Sequence, residues 1–334
     1  MLDNSALIEK IPYNPSLFVG REELLERITD SLVRGNHRVL SLVGPPGIGK
    51  SWLMRKIAED CQNKPEYLVA KRLNDYVLDA YQYQENIVAG VEEFLRELAG
   101  SYKIGWDSDI PIDRRIESLA EASDQLENRR TIWFIDSLNS VRNDVFDIIK
   151  TLLAVWIGSG VRTYAVVAHR DDQRFGYPIS WYQGVVEVPP FKSDESEKQI
   201  RQRLGTDENL GEWFAACVSE YKWDHPGLND LIIQQYRRGR KCTPFLLREL
   251  LEAIIAPTEL TAEMFSILCK MATFDEWTRV DLIRETGRNF GDSVVQSLFS
   301  HRLFYMDENI RKYKVAPGIK EVARAACKSE GEIS

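Results

Sequence analysis

Eight residues, GPPGIGKS (44–51), have the types and spacing that bind phosphate. They fit the pattern GxxxxGK[ST] in full and lie between an apolar run, HRVLSLVG (37–44), and an amphipathic segment near 50–62. Gly47 and Gly49 permit backbone conformations that turn successive N–H groups toward phosphate oxygens, and the next helix adds its N-terminal dipole. Lys50 then reaches the β- and γ-phosphates, and the Ser51 hydroxyl can ligate magnesium. The stretch Gly44, Pro45, Pro46, Gly47, Ile48, Gly49, Lys50, Ser51 and Trp52 is therefore read as nucleotide-binding. A glycine turn without function would leave the lysine and the serine unexplained.

Two further strand ends complete the candidate chemistry. Asp136 closes the apolar run TIWFID (131–136) and is the natural partner of Ser51 in holding magnesium. Arg170 closes RTYAVVAHR (162–170), at the end of a strand where open α/β sheets bind ligands; an arginine there can read a γ-phosphate bidentately. Lys50, Asp136 and Arg170 are thus the expected catalytic set, Ser51 and Asp136 the expected metal ligands, and ATP or ADP with Mg2+ the expected cofactors.

The elements that must position these groups alternate from 37 to 191. Strands are predicted at 37–44, 66–73, 131–136, 162–168 and 184–191, and helices at 50–62, 85–102, 113–130 and 145–160. Buried β-rich runs separated by helices predict a parallel five-stranded sheet with helices on both faces. After VPPF the strands stop. SDESEKQIRQRLG (193–205) opens with an N-cap pattern, Asp194 with Glu197, and helices are expected at 209–222, 227–238 and 244–255. Beyond the linker APTELT (256–261), three short helices, a two-strand run around DENI and a last helix read as a winged helix. The expected division is an arm (1–16), an α/β nucleotide domain (17–191), an all-helical lid (192–256), a winged-helix domain (257–327) and a disordered tail (328–334).

Bulk composition sets limits. The chain has 334 residues, 44% hydrophobic and 28% charged, with net charge −8 and pI about 5.3, so as a whole it is no polyanion binder. Five scattered cysteines without a CxxC pair suit a reducing compartment and argue against a disulfide framework or zinc. No window is long and apolar enough for a membrane span, and the N-terminus lacks a signal-peptide order. A cytoplasmic protein is expected.

FVGREELLERI (18–28), GPPGIGKS, FIDSL, VVAHRDD and VEVPPF together resemble the ATPase core of the STAND class of AAA+ proteins, which includes NACHT and NB-ARC members and bacterial regulatory ATPases. The resemblance runs from about residue 16 to 325. It implies a five-stranded sheet, a helical lid and a winged helix, with Val19 and Arg21 bordering the adenine, Asp136 as the Walker B acid and Arg170 as the sensor arginine. CTPFLLRELL (242–251) resembles the lid's GxP element, with Pro244 approaching the base; WDHPGL (223–228) competes for the same role.

Two departures from that family carry information. Ser137 matches the small residue after the Walker B aspartate, but Asn139 and Ser140 stand where members carry two acids. Asparagine orients a water but cannot take its proton. Ala316, in KVAPGIKEVAR (314–324), stands where many members carry a histidine near the ADP β-phosphate. Both changes predict slow hydrolysis or altered control of the ADP state with nucleotide binding retained.

The expected function is an ATP/ADP switch in a signalling or defence-type system, with nucleotide state setting the position of lid and winged helix and controlling association with itself or a separate partner. No repeat array is recognised after the winged helix and no effector segment before residue 16, so input and output are expected from other proteins or from self-assembly. The alternative is a DNA-associated AAA+ ATPase, drawn from the winged helix and the basic runs RKYK (311–314) and RRGRK (237–241). It is disfavoured because the candidate recognition helix, GDSVVQSLFSH, carries no lysine or arginine. Arg142 and Arg174 are both candidates for an arginine finger acting on a neighbouring subunit, with a solvated loop role the plainer reading of each. Trp181 and Tyr182 are expected at an exposed surface.

Overall fold

The computed structural model describes residues 12–35, 37–69, 77–126, 129–138, 141–169, 175, 179–204, 224–240, 243–255, 260–307 and 311–327. The chain divides into two compact units: 21–43 with 50–188, and 1–20 with 44–49 and 189–334.

The first unit is built on parallel strands β1 (Val39–Val43), β2 (Tyr67–Leu68), β3 (Leu78–Asp79), β4 (Arg130–Asp136), β5 (Thr163–His169) and β6 (Gln183–Glu187). β2 and β3 both lie along β4, against Arg130–Thr131 and Ile135–Asp136 respectively, and share one place in the sheet. The sheet therefore has the five expected positions, in the order β2/β3–β4–β5–β1–β6. β1 and β5 are buried along their whole length, as interior strands of a two-sided parallel sheet must be. Helices α1 (Glu22–Arg34), α2 (Lys50–Gln62), α3 (Ile87–Tyr102), α4 (Ile112–Asp124) and α5 (Asn143–Ser159) supply the remaining apolar surface. Trp133 and Trp156 meet edge to face at 6.3 Å, and the Trp156 indole N–H donates to the Tyr164 carbonyl at 3.0 Å.

Two expectations here are corrected. The helix placed at 113–130 stops at Asp124, whose carboxylate accepts the N–H groups of Val161 (2.8 Å) and Arg162 (2.7 Å). A tertiary tie replaces a further helical turn. β3 has no counterpart in the sequence reading, because two paired residues are too few to show a period. Trp181 is 75% exposed, as expected, whereas Tyr182 is partly covered by the Arg38 guanidinium, 4.2 Å above its ring.

The second unit contains α6 (Ser193–Leu204), α7 (Pro226–Arg237), α8 (Pro244–Ile255), α9 (Ala262–Ala272), α10 (Arg279–Thr286), α11 (Ser293–Ser300), the antiparallel hairpin β7 (Phe304–Asp307) and β8 (Lys312–Val315), and α12 (Ile319–Cys327). The helix expected at 209–222 lies outside the described residues. α6 starts two residues earlier than its N-cap pattern implied: Glu195, not Glu197, reaches back to the Lys192 N–H at 2.7 Å, and Glu197 pairs with Arg201 instead. Trp277 bridges to Tyr313 through backbone bonds of 2.9 and 2.8 Å and stacks on its ring, which adds a third short strand to the three-helix-and-hairpin pattern of a winged helix. Apolar residues of α7 and α8 run without a break into those of α9 to α12, so the helical block and the winged helix share one core.

The cysteine expectation is also corrected. Cys269 on α9 and Cys327 on α12 form a disulfide across 58 residues of sequence, with Cα atoms 6.0 Å apart. Spacing alone gave no sign of it, because the pairing is made by helices that only the fold brings together. By loop closure such a link stabilises by about 2–4 kcal/mol. Cys269→Ser is expected to lower the unfolding free energy by that amount, and a thiol reductant to act on the native chain but not on the variant. Equal urea midpoints would contradict this. Among the described residues no helix is long and apolar enough to cross a membrane.

Candidate functional site

β1 ends at Val43 and α2 starts at Lys50, so the chain turns through 44–49 in six residues, and the turn sets the backbone demands there. Gly47 has φ 71° and Gly49 φ 94°, conformations that residues with a Cβ rarely adopt. Ile48 is fully buried and anchors the loop, Gly44 and Pro46 are buried, and Pro45 is half-buried. Lys50, Ser51 and Trp52 form the first turn of α2 and stay half-buried.

In the sheet unit, Ser51 and Asp136 come together as the sequence implied. The Ser51 hydroxyl hydrogen-bonds to the Asp136 carboxylate, whose Oδ1 also accepts the Ser137 N–H at 2.8 Å. Ser137 is held at φ 63°, a left-handed conformation that is uncommon for a residue with a side chain. Asp136 is only 4% exposed. Burial pushes its carboxyl above the ordinary range; the Ser51 hydroxyl opposes this, and the neighbouring Asp79 charge adds to it. The folded protein thus holds that proton more tightly than the unfolded chain does. This favours folding below the usual carboxylate range and is lost as pH rises through the folded value. Asp136→Asn keeps both hydrogen bonds and removes the charge. The ligand-free variant is expected to melt at or above the native temperature and to lose the pH dependence that Asp136 contributes. A lower melting point would count against this account.

In the other unit, the phosphate-loop backbone is bound by residues of WDHPGL. His225 is fully buried at the N-cap of α7. Its Nδ1 accepts the Leu228 N–H at 3.2 Å, so the proton is on Nε2, which donates to the Pro46 carbonyl at 2.7 Å. Two residues on, the Gly227 N–H donates to the Gly47 carbonyl at 2.9 Å. A Cβ on Gly227 would lie 2.7 Å from that same carbonyl oxygen, and one on Gly318 would lie 2.4 Å from the His225 Cβ. One imidazole therefore touches the phosphate loop, the start of α7 and the turn before α12. Ala316, where the resemblance leads one to look for a histidine, is buried and donates its N–H to the Leu303 carbonyl at 2.9 Å. The imidazole next to the turn before α12 is that of His225, the N-cap of α7.

The other expected residues fare unevenly. Val19 is buried; Arg21 is buried too, in the left-handed conformation that precedes α1. Pro244 is the first residue of α8. Arg170, Arg174, Asn139 and Ser140 lie outside the described residues. Arg142 is exposed and pairs with Glu85 and Asp144, each at 3.2 Å. In RRGRK, Arg240 pairs with Glu249 at 2.7 Å and Arg237 donates to the Arg203 carbonyl, which gives both a structural use. His225 and Gly227 were visible in the sequence only as a rival for the lid element. A cavity of about 300 Å3 lined by Gln62, Asn63, Lys64, Tyr67, Leu68 and Arg129 lies at the far end of α2 from Lys50 and Ser51.

Neither a protein-family model nor a curated protein matches the chain. Among solved structures it is similar to the Walker-type ATPase of Pyrococcus abyssi, at 16% identity and TM-score 0.61, covering 96% of this chain and 99% of the other. It also matches a STAND protein with a tetratricopeptide-repeat sensor from Pyrococcus horikoshii (18%, TM-score 0.39), covering 94% of this chain but 43% of that one. The Cdc6p protein of Pyrobaculum aerophilum matches at 16% identity and TM-score 0.43, with 98% and 99% covered. Only the first of these scores is high enough to bear on the fold.

Proposed function

From the premise that the chain has the fold of a Walker-type P-loop ATPase, we propose that it is an ATP/ADP-dependent switch of the STAND type with slow hydrolysis. The phosphates bind along 44–51, with Lys50 on the β- and γ-oxygens. Ser51 and Asp136 offer hard oxygen donors of the kind magnesium takes, and the ion when bound neutralises charge on the phosphate oxygens. Val19, Arg21 and either Pro244 or Pro226 serve the adenine side, and Arg170 reads the γ-phosphate.

One observation carries the switch reading: the carbonyls of Pro46 and Gly47 are hydrogen-bonded to His225 and Gly227. A ligand that reshapes the phosphate loop therefore acts directly on the block that shares its core with the winged helix. Differential affinity of ATP and ADP for two arrangements of this block is all a population shift needs. Self-association or binding of a separate effector is the output. Slow turnover follows from the absence of a carboxylate at Asn139 and Ser140. The test is to measure bound nucleotide, turnover and mass in solution on the purified protein. Tight binding with slow turnover and a mass that depends on ATP is expected; rapid multiple turnover by a monomer overturns the proposal.

The DNA reading draws less support. Lys314 pairs with Asp307 at 2.9 Å, Lys312 with Glu276 at 3.1 Å, and Arg288 with Asp292 at 2.6 Å, so much of the winged helix's positive charge is matched internally. A salt-sensitive shift of duplex DNA, lost on neutralising Arg311, Lys312 and Lys314, would restore it.

A further inference from the structure

The fold places a second carboxylate beside Asp136. In the parallel pairing of β3 with β4, Asp79 stands directly opposite Asp136, and the Ala80 N–H continues the ladder to the Asp136 carbonyl at 3.1 Å. Residues opposite one another on adjacent parallel strands project from the same face of the sheet, with the strands about 4.8 Å apart. Both carboxylates thus sit at the C-terminal ends of their strands, the edge where sheets of this kind bind ligands. Asp79 is half-buried and its charge acts on Asp136. Its Oδ1 accepts the N–H groups of Tyr81 (3.1 Å) and Gln82 (3.4 Å), which fixes the carboxylate at the strand end; among the described residues no donor meets the other oxygen. The sequence supplies no acid at 139 or 140, so a base for the slow hydrolysis proposed above would come from another element.

We propose that Asp79 orients the attacking water in ATP hydrolysis and accepts its proton, in place of the acid missing after Asp136. The proposal rests on the nucleotide reading above. In the step it serves, the water oxygen, held by a hydrogen bond to Asp79, forms a bond to the γ-phosphorus. The bond from that phosphorus to the bridging oxygen breaks, and the oxygen leaves with the electron pair on ADP. Asp79 takes the displaced water proton and then releases it to solvent, giving ADP, inorganic phosphate and one proton. An asparagine at the same place could still orient the water but could not take its proton.

The discriminating substitution is Asp79→Asn. Asparagine caps the same turn as well as aspartate does, so a purely structural role is preserved while the carboxylate is lost. Asp79→Ala removes both. Three quantities are measured on the full chain: ligand-free unfolding midpoint, affinity for a non-hydrolysable ATP analogue with Mg2+, and single-turnover hydrolysis of ATP. For Asp79→Asn, the expected result is a midpoint no lower than the native one, affinity within about threefold, and turnover lower by roughly 100-fold, the range that a positioned proton acceptor contributes. Asp79→Ala loses stability in addition. Turnover of Asp79→Asn equal to native overturns the proposal and leaves Asp79 as a turn cap. Native binding with no measurable turnover overturns it too, while failure of the native chain to bind nucleotide at all overturns the nucleotide reading instead.

Discussion

Lys50→Ala is expected to raise the dissociation constant for Mg·ATP about 100-fold, which is roughly 2.7 kcal/mol, the worth of a charge-assisted contact in the middle of a phosphate cradle. Stability should be untouched, because Lys50 is half-buried at the first turn of α2 and carries no core packing. The two readouts must separate. Titration with a fluorescent ATP analogue measures the first and urea unfolding the second. Affinity within threefold of native would mean that the loop at 44–51 does not hold phosphate.

His225→Ala is expected to do the reverse. It deletes a fully buried ring, removes the cap at the start of α7 and leaves the Pro46 carbonyl without its donor. Two hydrogen bonds at about 1 kcal/mol each, with a cavity added, put the loss near 3 kcal/mol. His225→Asn should recover about 1 kcal/mol of this, because asparagine is a good N-cap but too short to span to Pro46. The measurement is urea unfolding of the full chain. A loss below about 0.5 kcal/mol would mean that the Pro46 contact carries no weight, and would remove the observation on which the switch reading stands.

Much of the fold was legible in the sequence, and for identifiable reasons. β1, β4 and β5 are continuous apolar runs because they are buried on both faces, and the phosphate loop carries its pattern in contiguous residues. What escaped was discontinuous. β3 is two residues long, so neither its existence nor the meeting of Asp79 with Asp136 leaves a periodic trace. The Cys269–Cys327 link depends on helices joined through 58 residues of intervening chain. His225 showed only as part of a rival lid motif, because its role comes from three segments far apart in sequence. The α6 start was misjudged because Lys192 is not a capping residue, so the bond from its N–H to Glu195 leaves no N-cap pattern in the sequence.

The crowding around His225 also constrains how this protein can change over generations. Gly47, Gly227 and Gly318 come from three separate stretches, yet each lies against the imidazole or against the loop it binds. A side chain at 318 would strike the His225 Cβ, and one at 47 would strike its ring carbon and Ile254. Neither glycine can be replaced while the histidine stays. Once His225 is reduced to glycine, part of the penalty at 318 disappears, leaving only the strain of φ 77°. Substitutions at 225 and 318 should therefore show epistasis, whereas 227 stays closed by the Gly47 backbone, 2.7 Å from a Cβ there, whatever stands at 225.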